Sequence, residues 1–452
     1  MTIPTVIIAA PTSNSGKTII STGLIGALRK SGYTVAPFKV GPDFIDTGYH
    51  TLASCRPGRN LDPVLVGEDL IGKLYLHGCI GADIAIIEGL MGLFDGRIQK
   101  SMSSMPSGST ASIAYLLNVP IILVVDARNQ SHSIAALLHG FLTLNLKLRI
   151  IGVILNKVNS RRHEYVLSQA CKHAGIDILG VIPQDDNLSI LSRYLGLITT
   201  VEQEQKAYDL VDIITNVVRR NIDLATIVAR SSSHIVAKPW NPTNKCQVNI
   251  KVAFASGKAF SFVYPEYIEL FHGTGIQVTT FDPMCELLPS EVNALIFPGG
   301  FPEQYTSRLY ENKIVRQQIK KLANYGIPIH AECAGLTYLL DSINGTQMCG
   351  VLSGSARLTK SLNLGYRDAL SIINSCIYAT GQKITGHEFH RTKVIFSFNT
   401  SKPAWILSDK SQILKYDGKV NKNIHASYLH MHPAAYSKCI IRFISSAANY
   451  KN

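Results

Sequence analysis

Charge is scarce in this chain. Only 17% of its 452 residues are Asp, Glu, Lys or Arg, while 46% are hydrophobic. That balance excludes an intrinsically disordered chain, which needs high charge and low hydrophobicity. The nine cysteines form no CxxC pair or other metal-ligand spacing. The N-terminus lacks a basic n-region, and its first apolar run leads straight into a phosphate-loop pattern, so a reducing cytoplasm is the expected location. No apolar stretch is long enough to span a bilayer. The most apolar one, Ile113 to Val125, is broken by Asn118 and Pro120, and no membrane association is expected. Internal repeats and low-complexity tracts are absent. Acidic residues are outnumbered, 31 against 44, giving a formal charge of +13. There is no arginine-rich arm, zinc finger or basic helix with interleaved aromatics, so no nucleic-acid partner is expected. A polyanionic small substrate, or composition alone, accounts for the surplus.

The length predicts two or three domains. Residues 3 to 10 read as a buried parallel strand, followed by Ala10-Pro-Thr-Ser-Asn-Ser-Gly16-Lys17-Thr18 and the amphipathic run Ile19 to Lys30. Strand, glycine loop and helix in this order make a nucleotide site. Backbone N–H groups of Ser13, Asn14, Ser15 and Gly16 cradle phosphates, Lys17 reaches the terminal ones, and the Thr18 hydroxyl ligates Mg²⁺. The strand Thr34 to Val40 delivers Lys39 and then Asp43 and Asp46. Those two carboxylates suit Mg²⁺ coordination or substrate positioning, or serve merely to form a turn. A strand from Ala82 to Ile87 delivers Glu88 and, after a glycine-rich turn, Asp95. Acids at the carboxyl ends of parallel strands stand where open α/β sheets bind ligands. Strands at Ile121 to Asp126 and Ile150 to Asn156 follow, and Asn156 is expected to contact a nucleotide base. Strand–helix alternation predicts an α/β fold with a doubly wound parallel sheet over residues 1–220. Residues 221–248 lose periodicity and read as a linker, and alternation resumes over 249–445.

The second half centres on Gly326 to Leu340, G-I-P-I-H-A-E-C-A-G-L-T-Y-L-L. A short apolar run ends in Cys333, and a helical pattern follows. This places the cysteine on a strand-to-helix elbow, where the helix N-terminus is expected to favour the thiolate. The turn Pro298 to Glu303 offers the backbone N–H groups of Gly299 and Gly300 as an oxyanion hole, and His430 follows about a hundred residues after the cysteine. Together they form an acyl-transfer constellation with Cys333 as nucleophile and His430 as proton shuttle. The stretch Gly386-His-Glu-Phe-His390 carries two histidines whose spacing on a strand puts them on opposite faces, so no metal is expected there.

These segments, K-V-G-P-D-F-I-D (Lys39 to Asp46), I-E-G-L-M-G-L-F-D-G (Ile87 to Gly96), A-E-C-A-G-L, G-H-E-F-H and A-S-Y-L-H, together resemble the cobyrinic acid a,c-diamide synthases. The resemblance runs from the first strand to about residue 435. It implies a dethiobiotin-synthetase-like ATP domain joined to a class I, triad-type glutamine amidotransferase domain. ATP and Mg²⁺ are implied to activate the c and then the a acetate carboxylate of a cobyrinic acid-type tetrapyrrole, with ammonia from L-glutamine completing each amide. A homodimer is left open. Two other readings compete: amidation of nickel-sirohydrochlorin by a related archaeal enzyme, and a non-catalytic ATP-dependent partitioning or regulatory module.

The chain departs from the family pattern in places. P-G-G-F-P-E stands for G-G-G-Y-P-E, Ala334 for a glycine, Ser192-Arg-Tyr-Leu-Gly-Leu197 for S-R-H-L-G-L, and the segment Ala255 to Phe260 lacks an aspartate before Ala-Phe. Triad amidotransferases usually end in H-P-E, and the glutamate's place falls on His432. That residue either orients His430 as a third triad member or is a bystander.

Overall fold

Three strands of the first unit, Thr5–Ala9 (β1), Ile84–Glu88 and Ile121–Asp126, are runs of Ile, Val, Leu and Ala buried at almost every position. Continuous apolar runs, rather than alternation, belong to a parallel sheet covered on both faces. In the computed structural model, which describes residues 3–97, 105–185, 204–243, 249–397, 402–408 and 414–450, these strands lie at the centre of a seven-stranded sheet. Its remaining members are Val35–Val40 (β2), Arg59–Leu61 (β3), Ile150–Val158 (β6) and Ile178–Pro183 (β7), with Ile84–Glu88 as β4 and Ile121–Asp126 as β5. The order is β3-β2-β4-β1-β5-β6-β7, and each pairing is parallel. The chain leaves β1 toward β2 on one side and later returns to the other. The carboxyl end of β1 is therefore a topological switch point, where such sheets bind ligands.

Helix Lys17–Lys30 (α1) starts at that point. It packs closely on the helix Glu204–Asn221: a methyl group at Gly26 would collide with Thr215, and one at Gly23 with Val218. The chain divides into two units, residues 1–241 and 242–452. The segment expected to be a linker from 221 therefore belongs, through residue 241, to the first unit. Helix Leu224–Arg230 is tied down by Arg230, which bonds the Ile151 carbonyl and pairs with Asp177 at 2.7 Å. Ser233 Oγ donates to the Ile3 carbonyl, and the Trp240 N–H to that of Lys73. Irregular backbone can be as firmly bonded as a helix, and hydrophobic periodicity does not register it.

In chain order the second unit contributes Lys251–Ala255 (β8), Gln277–Phe281 (β9), Ala294–Phe297 (β10), Ile329–Glu332 (β11), Leu340–Ile343 (β12), Thr346–Gln347 (β13), Leu352–Ser371 (β14), Lys383–Phe396 (β15), Trp405–Ser408 (β16), Leu414–Asp417 (β17), Lys419–Asn421 (β18) and Ile424–Ser427 (β19). One sheet runs β18-β19-β11-β10-β8-β9 and is parallel except at β18. A second is built on the long antiparallel hairpin of β14 and β15. The apolar core between β10, β11 and their helices includes Leu295, Phe297, Ile329, Ala331 and Leu336. No helix among the described residues is long and apolar enough to cross a membrane. Ser192 to Leu197 lie outside the described residues.

Candidate active sites

At the end of β1 the chain turns through Asn14 and Gly16, both in the left-handed region with φ of 62° and 100°. Thr12, Ser13 and Asn14 are exposed, whereas Ser15 and Lys17 are buried. The loop is braced from within: Ser15 Oγ donates to the Thr12 carbonyl at 2.9 Å, and Asn156 Nδ2 to the Ser15 carbonyl at 2.9 Å. Lys17 Nζ donates to the carbonyls of Met91 at 2.5 Å and Thr12 at 3.3 Å. Burial lowers its ammonium to a pKa of about 8, against the opposing pull of Glu88 and other carboxylates.

Behind Lys17 stands a tightly wired group. Thr18 Oγ1 donates to Glu88 Oε1 at 2.6 Å and lies 3.4 Å from Asp46 Oδ2. Lys39 Nζ sits between the two carboxylates, 2.7 Å from Asp46 and 2.8 Å from Glu88. His50 Nε2 closes the far side of Glu88 at 2.7 Å. Burial works against the Lys39 ammonium, but Asp46 and Glu88 outweigh it and hold its pKa above the ordinary lysine value. Burial likewise opposes the Glu88 carboxylate and is overcome by Lys39 and His50, so Glu88 stays ionised. Burial and the Asp43 charge push the Asp46 carboxyl upward, and the Lys39 ammonium 2.7 Å away pulls against them and keeps the ion pair. Asp43 accepts the backbone N–H groups of Ile45 and Asp46 and so starts the helix Ile45–Ser54 (α2). Asp95 accepts the Gly92 N–H at 2.8 Å, and its charge reaches Lys17.

In the second unit Cys333 stands at the end of β11 with φ 49° and ψ −100°, and the short helix Ala334–Leu339 follows. A left-handed non-glycine residue at this place is strain held by its surroundings. The Cys333 N–H is tied to the Ser427 carbonyl at 2.8 Å, and Gly335 meets β10 so closely that a methyl there would collide with the Phe297 carbonyl. Glycine is thus required at 335, whereas Ala334 fits as a buried wall of the cleft. That cleft encloses only about 10 Å³ and is lined by Gly300, Glu303, Cys333, Thr337, His390 and Thr392, among others. His430 is fully buried. Its ring lies against Gly299, where a side chain would collide with it, and stacks on His387 with centroids 4.9 Å apart. Its Nδ1 is 3.7 Å from Glu332 Oε2.

Two family profiles divide the chain between them. That of the CobQ/CobB/MinD/ParA nucleotide binding domain matches residues 6–198, and that of the CobB/CobQ-like glutamine amidotransferase domain matches 251–437. Over 452 residues the chain is 54% identical to the hydrogenobyrinate a,c-diamide synthases of Mycobacterium bovis and Mycobacterium tuberculosis, covering 99% of each chain. The chain belongs to the hydrogenobyrinate a,c-diamide synthase family. The enzyme of that name from Streptomyces coelicolor is 42% identical, with 98% of this chain and 97% of that one covered. The cobyrinate a,c-diamide synthase of Methanobrevibacter smithii is 37% identical, with 95% and 96% covered.

For a diamide synthase of this family, the structure brings Lys17, Thr18, Lys39, Asp46 and Glu88 together, with Asp43 and Asp95 at their edge. One expectation needs correction, and three others gain detail. Asn156, expected at a nucleotide base, donates one amide N–H to the Ser15 carbonyl and so braces the phosphate loop. The Cys333 thiol is not poised as a thiolate: burial, with Glu303 next, pushes its pKa well above the ordinary value. A six-residue helix has too few aligned peptides to overcome that desolvation. The N–H groups of Gly300 and Ala334 act on the sulfur, and Gly299, expected beside Gly300 in the oxyanion hole, also makes room for the His430 ring. Finally, His432 faces Glu266, 3.8 Å away, and stacks on Tyr264. The carboxylate facing His430 is Glu332, which sequence reasoning read only as part of A-E-C. Its position two residues after His330 on one strand face was the available signal.

Proposed function

We propose that the protein is an ATP-dependent, glutamine-hydrolysing amidoligase that converts the a and c acetate carboxylates of hydrogenobyrinate, a corrinoid, to amides in cobalamin biosynthesis. The observation that carries this reading is full-length identity of 54% to enzymes named for that reaction. It is supported by two separate constellations in one chain. Nearer relatives bear the hydrogenobyrinate name and more distant ones the cobyrinate name, which favours the cobalt-free substrate. The cytoplasm, where ATP and glutamine are plentiful, is the natural compartment.

A carboxylate is a poor acyl donor, so amide formation at neutral pH needs an activated acyl group. The phosphate loop holds ATP through its backbone N–H groups, with the Lys17 ammonium on the terminal phosphates. A carboxylate oxygen of the corrinoid attacks the γ-phosphorus, the bond to the β–γ bridging oxygen breaks, and ADP leaves. Ammonia then attacks the acyl phosphate carbon, and inorganic phosphate departs. Thr18, Asp46 and Glu88 form a cluster of hard oxygen donors within 3.4 Å of the Thr18 hydroxyl and fit Mg²⁺. These three residues would hold the ion beside the phosphates of ATP. When bound, Mg²⁺ neutralises phosphate charge.

In the second unit, Cys333 Sγ passes its proton to His430 Nε2 and attacks the side-chain amide carbon of glutamine. The Gly300 and Ala334 N–H groups stabilise the resulting oxyanion. Ammonia leaves with the proton returned by His430, and water then hydrolyses the γ-glutamyl thioester to glutamate and free thiol. The test is to incubate the protein with ATP, Mg²⁺, glutamine and either hydrogenobyrinate, cobyrinate or nickel-sirohydrochlorin. Hydrogenobyrinate should give the a,c-diamide, ADP and glutamate fastest. ADP formation with nickel-sirohydrochlorin alone would overturn the corrinoid reading, and none with any of the three would overturn the ligase reading.

A further inference from the structure

The residue two places beyond His430 is a histidine facing elsewhere, yet the site does not lack an acid. Glu332 is the last residue of β11, immediately before the nucleophile, and it is 4% exposed. Its two oxygens have separate neighbours. Oε1 accepts the Tyr267 hydroxyl at 2.9 Å and lies 3.1 Å from His330 Nε2. Oε2 is 3.7 Å from Nδ1 of His430. With Oε1 fixed from two directions, the carboxyl plane has little freedom, and Oε2 can only face the imidazole.

We propose that Glu332 is the positioning carboxylate of the glutaminase site, holding His430 with Nδ1 protonated and Nε2 free to receive the cysteine proton, while Tyr267 and His330 hold Glu332. The proposal rests on the reading of Cys333 and His430 given above. A buried carboxylate must be paired to remain charged, and His330 with Tyr267 supplies part of that pairing. The imidazolium that forms when His430 accepts the thiol proton supplies the rest. The charge is therefore most useful at the moment of attack, which is where a catalytic interaction should act. At 3.7 Å the Glu332–His430 contact is longer than a hydrogen bond, and such pairs commonly tighten when substrate fills the site. The arrangement puts nucleophile and carboxylate on adjacent residues: β11 turns its Glu332 face toward His330, and the elbow sends Cys333 the other way.

A purely structural Glu332 would affect folding but not the balance of kcat and KM. The experiment measures glutamate release from glutamine by the full chain, with ATP, Mg²⁺ and hydrogenobyrinate present. Cys333→Ala should abolish release. If it does not, the nucleophile reading fails and takes this proposal with it. With that control in place, Glu332→Gln, which keeps shape but removes charge, should lower kcat about 100-fold with KM for glutamine within about threefold. Glu332→Asp should recover part of the loss. A kcat within threefold of the wild type in Glu332→Gln would overturn the proposal, as would a loss confined to KM. Should Glu332→Gln fail to fold, Tyr267→Phe carries the test, since it keeps the carboxylate and removes its hydroxyl donor. A kcat loss of about fivefold supports the assignment, and an unchanged kcat overturns it.

Discussion

The two sites solve the problem of a buried reactive group in opposite ways. Around Lys39, charges meet directly: an ammonium between Asp46 and Glu88, with His50 behind, all almost wholly buried. Around Cys333, the thiol and the His387 ring are held neutral by burial, Glu303 lines the cleft, and the carboxylate facing His430 is Glu332. The first site awaits a polyanion and is built from fixed charge. The second awaits a neutral amide and holds its nucleophile as a neutral thiol, with the carboxylate that faces His430 on the residue before it. A resting thiol also limits futile hydrolysis of glutamine.

The largest expected effect separates the sites outright. Cys333→Ala should lower glutamine-dependent amidation more than about 1,000-fold while added ammonium salts still support the reaction. Loss of both activities in a folded variant would mean that the two units do not divide the chemistry. The fixed charges of the first site should reveal themselves differently, through stability. Lys39→Met leaves Asp46 and Glu88 buried together without their cation, a change expected to cost about 3–5 kcal/mol as well as ADP formation. Adding Glu88→Gln should recover part of the lost melting temperature. No recovery would argue against a direct electrostatic cause.

What could be read from the sequence follows the same division. The phosphate loop, Lys39, Asp46 and Glu88 were legible because parallel strands advertise themselves as apolar runs and deliver ligands at their carboxyl ends. The elbow at Cys333 was legible for the same reason. The antiparallel hairpin of β14 and β15 was not. Along β14 exposed and half-buried positions predominate, so its pattern resembles that of a loop. The partner of His430 was missed because the family pattern directs attention to position 432, whereas the acid that reaches the ring lies on β11, far back in the chain. Only the parallel pairing of β11 with β19, Glu332 opposite Ser427, brings it near.

Asn156 offers a smaller test within the charged site. Its amide holds the Ser15 carbonyl and crowds Gly16, so Asn156→Ala should loosen the loop rather than remove a ligand. Loss of one buried hydrogen bond is worth about 1–2 kcal/mol, or about tenfold in nucleotide affinity. A base-contacting residue would instead change the preference for ATP over GTP, and an altered ratio would restore that role. Lys17 adds a pH dependence. Burial first of all lowers its pKa to about 8, so the ammonium is present below that pH and lost above it. Bound phosphates favour the charged form. Nucleotide binding at pH 8 should therefore take up about half a proton, measurable by calorimetry in buffers of different ionisation enthalpy. Affinity should weaken as pH rises past 8. Proton release on binding would contradict the lowered pKa.

The smallest effect is expected at His432. It is as buried as His430 and only two residues away, so a sequence comparison would rank the two alike. In the structure His432 Nε2 faces Glu266 at 3.8 Å and its ring lies on Tyr264 at 4.5 Å. Tyr264 in turn bonds His387 Nε2 at 3.1 Å, and His387 stacks on His430. Along this route its influence on the reacting ring passes through two other side chains, whereas Glu332 faces that ring with no residue between. His430→Ala should lower glutamate release more than about 100-fold, whereas His432→Asn should lower it less than about fivefold. The principal effect of His432→Asn should be thermal, about 1–2 kcal/mol from a disturbed buried contact, and a melting curve beside the activity assay separates the two outcomes. Equal loss of activity in both variants, with unchanged melting, would return the third triad position to 432 and leave Glu332 as a structural partner of His330.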